Sequence, residues 1–170
     1  MRSGLRRGTV MLAPYSPDWE ADFATEQAAL RQLFGPAAIA IEHVGSTAVP
    51  GLDAKPIIDI EVGLRQFGDW QRYIEPLEAR GYTFMLDRVG TDEVFLPKGP
   101  EQLRTHYVHI TAHDSPQWRQ TLGFRDRLRA DAALRDEYQS LKQTLARRFP
   151  DDRQRYTAGK AAFIERNCIA

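Results

Sequence analysis

Residues 42–62, EHVGSTAVPGLDAKPIIDIEV, decide how this chain folds. From Pro56 to Val62 the run is β-branched and apolar except at Asp59 and Glu61, the pattern of a central strand. Side chains alternate along a strand, so Ile57, Asp59 and Glu61 share one face while Ile58, Ile60 and Val62 share the other. Two carboxylates side by side in a partly buried strand repel, and each resists ionising unless a cation lies beside them. Mg²⁺ meets that need, because it takes one or two carboxylates and completes its shell with water and substrate phosphates. The competing reading of the same pair is a solvated sheet face on which each acid meets a Lys or Arg.

Upstream, Gly45-Ser46 follows an apolar run, Ile39 to Val44, that reads as a strand. It opens a Gly/Pro-rich turn or short helix whose backbone amides can cradle a phosphate. Further out, Ser16-Pro17 marks a helix start, Trp19, Phe23, Leu30 and Phe34 form its apolar stripe, and Gly35-Pro36 ends it. On the other side, the pattern predicts a helix over 67–80 and a strand over 82–86. Two more strands follow, near 93–97 and 103–112, joined by the turn signal Lys98-Gly99-Pro100 as an antiparallel hairpin. From Ser115-Pro116 onward the pattern is helical: Leu134, Tyr138, Leu141, Leu145 and Phe149 keep a three-four spacing, and a final helix carries Tyr156, Phe163 and Ile164. The expected architecture is α+β, a mixed β-sheet flanked by helices with a helical C-terminal third. It forms one domain over 1–170, with a sheet-containing core to about residue 112 and the helical segment from about 115.

Composition narrows the function classes. The chain has 23 Lys plus Arg against 23 Asp plus Glu, so no overall field draws in nucleic acid or an acidic membrane surface, and an RNA partner is not expected. The only cysteine, Cys168, excludes an internal disulfide and a multi-cysteine zinc site. Near the start, the apolar run Val10 to Ala13 is cut by Pro14, too short for a signal peptide, and nothing approaches a membrane span. A cytoplasmic location is expected.

Val44-Gly45-Ser46, twelve intervening residues and Asp59-Ile60-Glu61-Val62 resemble the signature of the nucleotidyltransferase superfamily, a Gly-Gly/Ser turn followed by Asp-hydrophobic-Asp/Glu. More specifically, Glu42 to Ile60 resembles the hallmark of the GrpB family within that superfamily. RTHYVHI at 104–110, FRDRLR at 124–129 and YQSLK at 138–142 are further family-like pieces. The resemblance implies that Gly45 and Ser46 bind a triphosphate and that Asp59 and Glu61 hold Mg²⁺, with Mn²⁺ as the alternative. A nucleotidyl group would then pass from an NTP to a small-molecule or protein acceptor. The alternative is a non-catalytic nucleotide- or phospholigand-binding module of the same fold.

Superfamily members bring a third carboxylate from a later strand, and no acid on the predicted strand 103–112 supplies it. There Tyr107, His109 and Thr111 share one face, and His106, Val108 and Ile110 the other. His109 is the candidate for the vacant position, as general base or as a structural histidine; imidazole is a poor Mg²⁺ ligand. The odd spacing keeps His106 and His109 from forming a zinc pair. Lys55, just before the carboxylate strand, and Lys142 and Lys160, each four residues after a tyrosine, are candidate phosphate contacts. For the helical lysines the competing reading is an ammonium snorkelling over an apolar stripe. His43 and Glu42 are read as supporting groups, one of Arg125, Arg127 and Arg129 as facing the cleft, and Arg88 and Arg104 as lesser candidates.

Overall fold

The strand that carries the two acids lies in the middle of a four-stranded sheet. The computed structural model describes residues 4–168; expectations reaching 1–3 and 169–170 lie outside the described residues. Helix α1 (Asp18–Phe34) leads into β1 (Ala38–Val44), which pairs antiparallel with β2 (Ile58–Leu64). After the short helix α2 (Ile74–Glu78), β3 (Glu93–Lys98) and β4 (His106–Ala112) form the antiparallel hairpin read from Lys98-Gly99-Pro100. β4 inserts parallel to β2, giving the order β1-β2-β4-β3. Three helices, α3 (Pro116–Ala130), α4 (Ala132–Arg148) and α5 (Arg153–Asn167), follow.

Alternation sorts the two faces as the sequence predicts. Ile58, Ile60 and Val62 of β2, with Val108 and Ile110 of β4 and Val94 and Leu96 of β3, join the main core beneath α1, whose Trp19, Leu30 and Phe34 bury the stripe. The other face carries Asp59 and Glu61 beside Tyr107, His109 and Thr111, and looks toward the three C-terminal helices. Those helices are built on side-chain caps: Ser115 accepts from Trp118 N, Asp131 from Leu134 N and Asp152 from Arg155 N. Each such cap typically contributes about 1 kcal/mol. Val49, Leu52, Leu128, Leu134, Tyr138 and Phe163 form a second core that fixes the helices against the segment between β1 and β2.

Three elements differ from the sequence reading. The helix expected over 67–80 is a 3-10 stretch, Phe67–Tyr73, followed by the five-residue α2. Pro76 explains the break, because proline is tolerated only in the first turn of an α-helix, which therefore begins at Ile74. The strand expected over 82–86 reduces to one bridge, Tyr82 to Lys98. There the chain is held by side chains instead: the Tyr82 hydroxyl donates to buried Glu26 at 2.8 Å, and Phe84 stacks on Trp70. β4 also starts at His106 rather than 103, since Leu103 is exposed.

Candidate functional site

Gly45 turns the chain between β1 and the 3-10 turn Ser46–Ala48 with φ 69° and ψ −169°, a region essentially closed to residues with a Cβ. A Cβ there would stand 2.7 Å from Asp59 Oδ2. The glycine of the turn and the first carboxylate of the strand are therefore in contact, which is the geometric content of the motif. β1 and β2 pair so that Val44 faces Asp59, bringing the turn to the start of the carboxylate strand.

A cleft of about 380 Å³ opens here between the sheet and α3–α5. Gly45, Ser46, Lys55, Asp59, His109 and Lys160 of the expected set all line it. Arg125 is the member of the arginine trio that faces the cleft, where it donates to Glu42 Oε2 at 2.8 Å and the His43 carbonyl at 2.9 Å. It thereby ties α3 to β1. His43 stacks on Phe23 and shares a 2.9 Å hydrogen bond with Thr47; burial pulls its pKa down to about 4, leaving a neutral structural ring.

Two expected residues stand apart from the cleft. Glu61 is only 2% exposed and does not line it; the Thr111 hydroxyl donates to its Oε1 at 2.8 Å. Burial pushes this carboxyl up to about 7, against the pull of His109 and Thr111. Lys142 is 1% exposed, does not line the cleft and donates to the Asp53 carbonyl. Its ammonium sits over the Tyr138 ring at 5.1 Å, so burial beside an aromatic face, rather than a direct phosphate contact, accounts for it.

Several residues that the sequence reading passed over complete the site. Glu93 of β3 reaches His109 from the far side: His109 Nδ1 is hydrogen-bonded to Glu93 Oε1, while Nε2 lies 3.8 Å from Asp59 Oδ1. A third acid thus lies one strand further over, joined to Asp59 through the imidazole. Burial opposes charge on His109, but the carboxylates of Asp59 and Glu93 on either side of the ring raise its pKa to about 10. Asp59 in turn is held below the usual carboxylate range: burial opposes its ionisation, and His109, then Lys55 and Arg153, overcome it. Arg153, at the start of α5, donates to the Tyr107 hydroxyl at 2.6 Å. Register could have found Glu93, since the predicted hairpin places 93–97 beside His109.

The cationic wall is held near its titration point. Burial lowers Lys55 to about 7, helped by Arg153 and Lys160, and lowers Lys160 to about 8, helped by Arg153. Lys142 falls to about 7 through burial and the nearby Lys160. Lys55 and Lys160 both lie over the Tyr156 ring, at 5.5 and 4.6 Å. Clustered, desolvated cations of this kind gain when an anion enters.

Among the described residues, no cluster of three His, Cys, Asp or Glu side chains forms a complete metal site. The donor set nevertheless fits a hard dication delivered with a triphosphate. Asp59 offers an ionised carboxylate to the cleft, Glu61 stands behind it on the same face, and phosphate oxygens and water commonly fill the remaining positions.

This turn, carboxylate strand and mixed sheet define a nucleotidyltransferase-like fold. It is shared with the Cid1 poly(U) polymerase in its MgGTP-bound structure: TM-score 0.57, 17% identity, over 79% of this chain and 44% of that one. The chain itself belongs to the GrpB family, whose model, GrpB protein, matches residues 9–168. The crystal structure of conserved protein GrpB from Enterococcus faecalis is similar over 92% of this chain and 93% of that one, with TM-score 0.84 and 36% identity. A UPF0157 protein of Pseudomonas aeruginosa is 43% identical over 92% of this chain, which spans 65% of that relative's length. The glutamate-rich protein GrpB of Alkalihalophilus pseudofirmus is 36% identical over 95% of both. No helix among the described residues is long and apolar enough to cross a membrane.

Proposed function

We propose that this protein is a metal-dependent nucleotidyltransferase that moves a nucleotidyl group from an NTP to a small-molecule or protein acceptor. The observation that carries the reading is the contact between Gly45 and Asp59 in a cleft that Lys55, Lys160 and Arg153 also line. An anion-accepting turn, an ionised carboxylate and clustered cations meet there, the set that triphosphate chemistry requires.

In this reading Ser46 and the turn, with Lys55 and Lys160, hold the triphosphate. Asp59, supported by Glu61, holds Mg²⁺, or Mn²⁺ in its place. A bound dication supplies charge neutralisation at the transferring phosphoryl group. Phe124, Leu128 and Ile164 give the cleft an apolar end suited to a base, and Lys142 braces the segment before β2 through the Asp53 carbonyl. His109, held between Asp59 and Glu93, keeps the two carboxylates apart and fixes their orientation. A cytoplasmic location, where NTPs and Mg²⁺ are supplied together, goes with this activity.

One observation favours the alternative, a non-catalytic nucleotide- or phospholigand-binding module: the third acid, Glu93, is engaged by His109 rather than free to serve as base. Calorimetric titration of an NTP panel with Mg²⁺, with Mn²⁺ and without metal, followed by assay of pyrophosphate release, separates the two. Metal-dependent binding with release supports the transferase, binding without release supports a nucleotide-binding module, and a flat panel rejects the transferase and leaves a module for another phospholigand.

A further inference from the structure

Beyond His109, on the side away from the nucleotide cleft, lies a second and wider cleft of about 960 Å³. Tyr107, His109, Arg153 and Thr157 line both, so the two clefts adjoin at His109, whose Nε2 lies 3.8 Å from Asp59 Oδ1. The second cleft is rich in arginine, and its arginines are not equally occupied. Arg7 pairs with Glu101, and Arg104, which is 5% exposed, donates to the Gly99 carbonyl and to Thr83. Arg88 and Arg153 lean on aromatic rings instead, at 5.7 Å from the Phe95 centroid and 4.8 Å from that of Tyr107. Among the described residues neither forms an ion pair with a carboxylate. Asp87 and Glu93 are the acids of this lining, and Glu93 is bonded to His109.

We infer that the second cleft receives the acceptor, and that the acceptor attacks through an oxygen that is already anionic, that of a phosphomonoester or a carboxylate, held by Arg88 and Arg153. This deepens the transferase reading and rests on it. A neutral hydroxyl nucleophile needs a side chain to take its proton. The carboxylates at the shared edge are otherwise engaged: Glu93 is bonded to His109, Glu61 is buried and lines neither cleft, and Asp59 is assigned to the dication, while Asp87 is exposed and lines only the second cleft. An anionic oxygen removes the need for a base, and planar guanidinium groups suit it by geometry and charge. In the step, a lone pair of that oxygen forms a bond to the α-phosphorus. The bond from the α-phosphorus to the oxygen bridging to the β-phosphorus breaks, its electron pair leaves on pyrophosphate, and no proton moves. A phosphomonoester acceptor yields a mixed pyrophosphate, and a carboxylate acceptor yields an acyl nucleotidate.

The test uses the full chain and three probes, inorganic phosphate, acetate and glycerol, titrated while the arginine side-chain Nε–H signals are followed by NMR, with and without Mg²⁺ and a non-hydrolysable NTP. Phosphate or acetate is expected to shift Arg88 and Arg153 saturably, the tighter of the two identifying the source of the oxyanion. Arg88→Glu, a change at an exposed position, is expected to weaken that binding about tenfold or more while leaving nucleotide affinity and thermal midpoint unchanged. Equal shifts at the remote Arg72 would show an adventitious ion only, and would overturn the proposal. So would the absence of saturation, or glycerol acting as strongly as phosphate. Oxyanion binding that survives when no nucleotide binds would instead count against the transferase reading and leave the arginine cleft standing.

Discussion

Glu61 on β2 and His109 on β4 are direct partners across the parallel pair, and both project to the cleft side of the sheet. Their environments push both upward, for different reasons. Burial raises the Glu61 carboxyl to about 7, while Asp59 and Glu93, against the effect of burial, raise His109 to about 10. The sheet therefore holds an imidazolium among three acids, one of which ionises only near neutrality.

Glu61→Gln follows from this pairing. A carboxyl whose folded pKa exceeds its unfolded value binds more protons when folded, so its contribution to stability declines as pH rises from about 4.5 to about 7. The isosteric amide keeps an oxygen for the Thr111 hydroxyl and removes that dependence. The variant is expected to gain on wild type across this window, by roughly 1–3 kcal/mol at pH 8, in urea unfolding at several pH values. A variant less stable than wild type at pH 8 would contradict the assignment.

Gly45→Ala tests the contact at the heart of the motif. The backbone conformation alone costs about 1–3 kcal/mol for a residue with a Cβ, and the added methyl collides with Asp59 Oδ2. Reduced stability in chemical denaturation, together with lost nucleotide binding, is the expected pair. Full stability would mean that the turn is not held as described.

Arg125→Ala removes the tie between α3 and β1, leaving the His43 carbonyl and Glu42 without their guanidinium donor. A loss of roughly 1–3 kcal/mol is expected from the unmet buried acceptor. Arg127→Ala, which loses a contact to the Asn167 carbonyl near the chain end, is expected to cost less. Thermal unfolding of the two variants side by side decides whether the ordering holds.

Proton uptake reports the lysine wall. Lys55 near 7 and Lys160 near 8 are substantially neutral at pH 8, and an entering triphosphate favours their charged forms. Calorimetry in buffers of differing ionisation enthalpy should register a net uptake of about one proton per nucleotide at pH 8, fading toward pH 6. Release of protons on binding would place the phosphates elsewhere.

Much of this was legible in the sequence because alternation is a strict rule in strands. The period of two put Asp59 and Glu61 on one face and Tyr107, His109 and Thr111 on another, and pairing brought those faces together. The Ser115-Pro116 cap located the start of the helical third in the same way. What escaped was set by tertiary geometry. Lys142 shares Lys160's spacing after a tyrosine, yet packing buries one and turns the other to the cleft. Glu93 reads as an ordinary edge-strand acid until hairpin register sets it opposite Thr111, diagonal to His109 on the same face. Arg153 looks like a helix-start residue until α5 docks beside Tyr107. The broken helix at 67–78 reflects Pro76, a local signal outweighed by apolar spacing in the sequence reading.

Asp59→Asn shows whether Asp59 couples nucleotide to metal beneath the Gly45 turn. Nucleotide affinity of wild type and variant, each measured with and without Mg²⁺, is the decisive comparison. The expected variant is folded and its nucleotide binding no longer responds to Mg²⁺, while wild-type binding does. A variant that keeps the wild-type metal response would contradict that coupling.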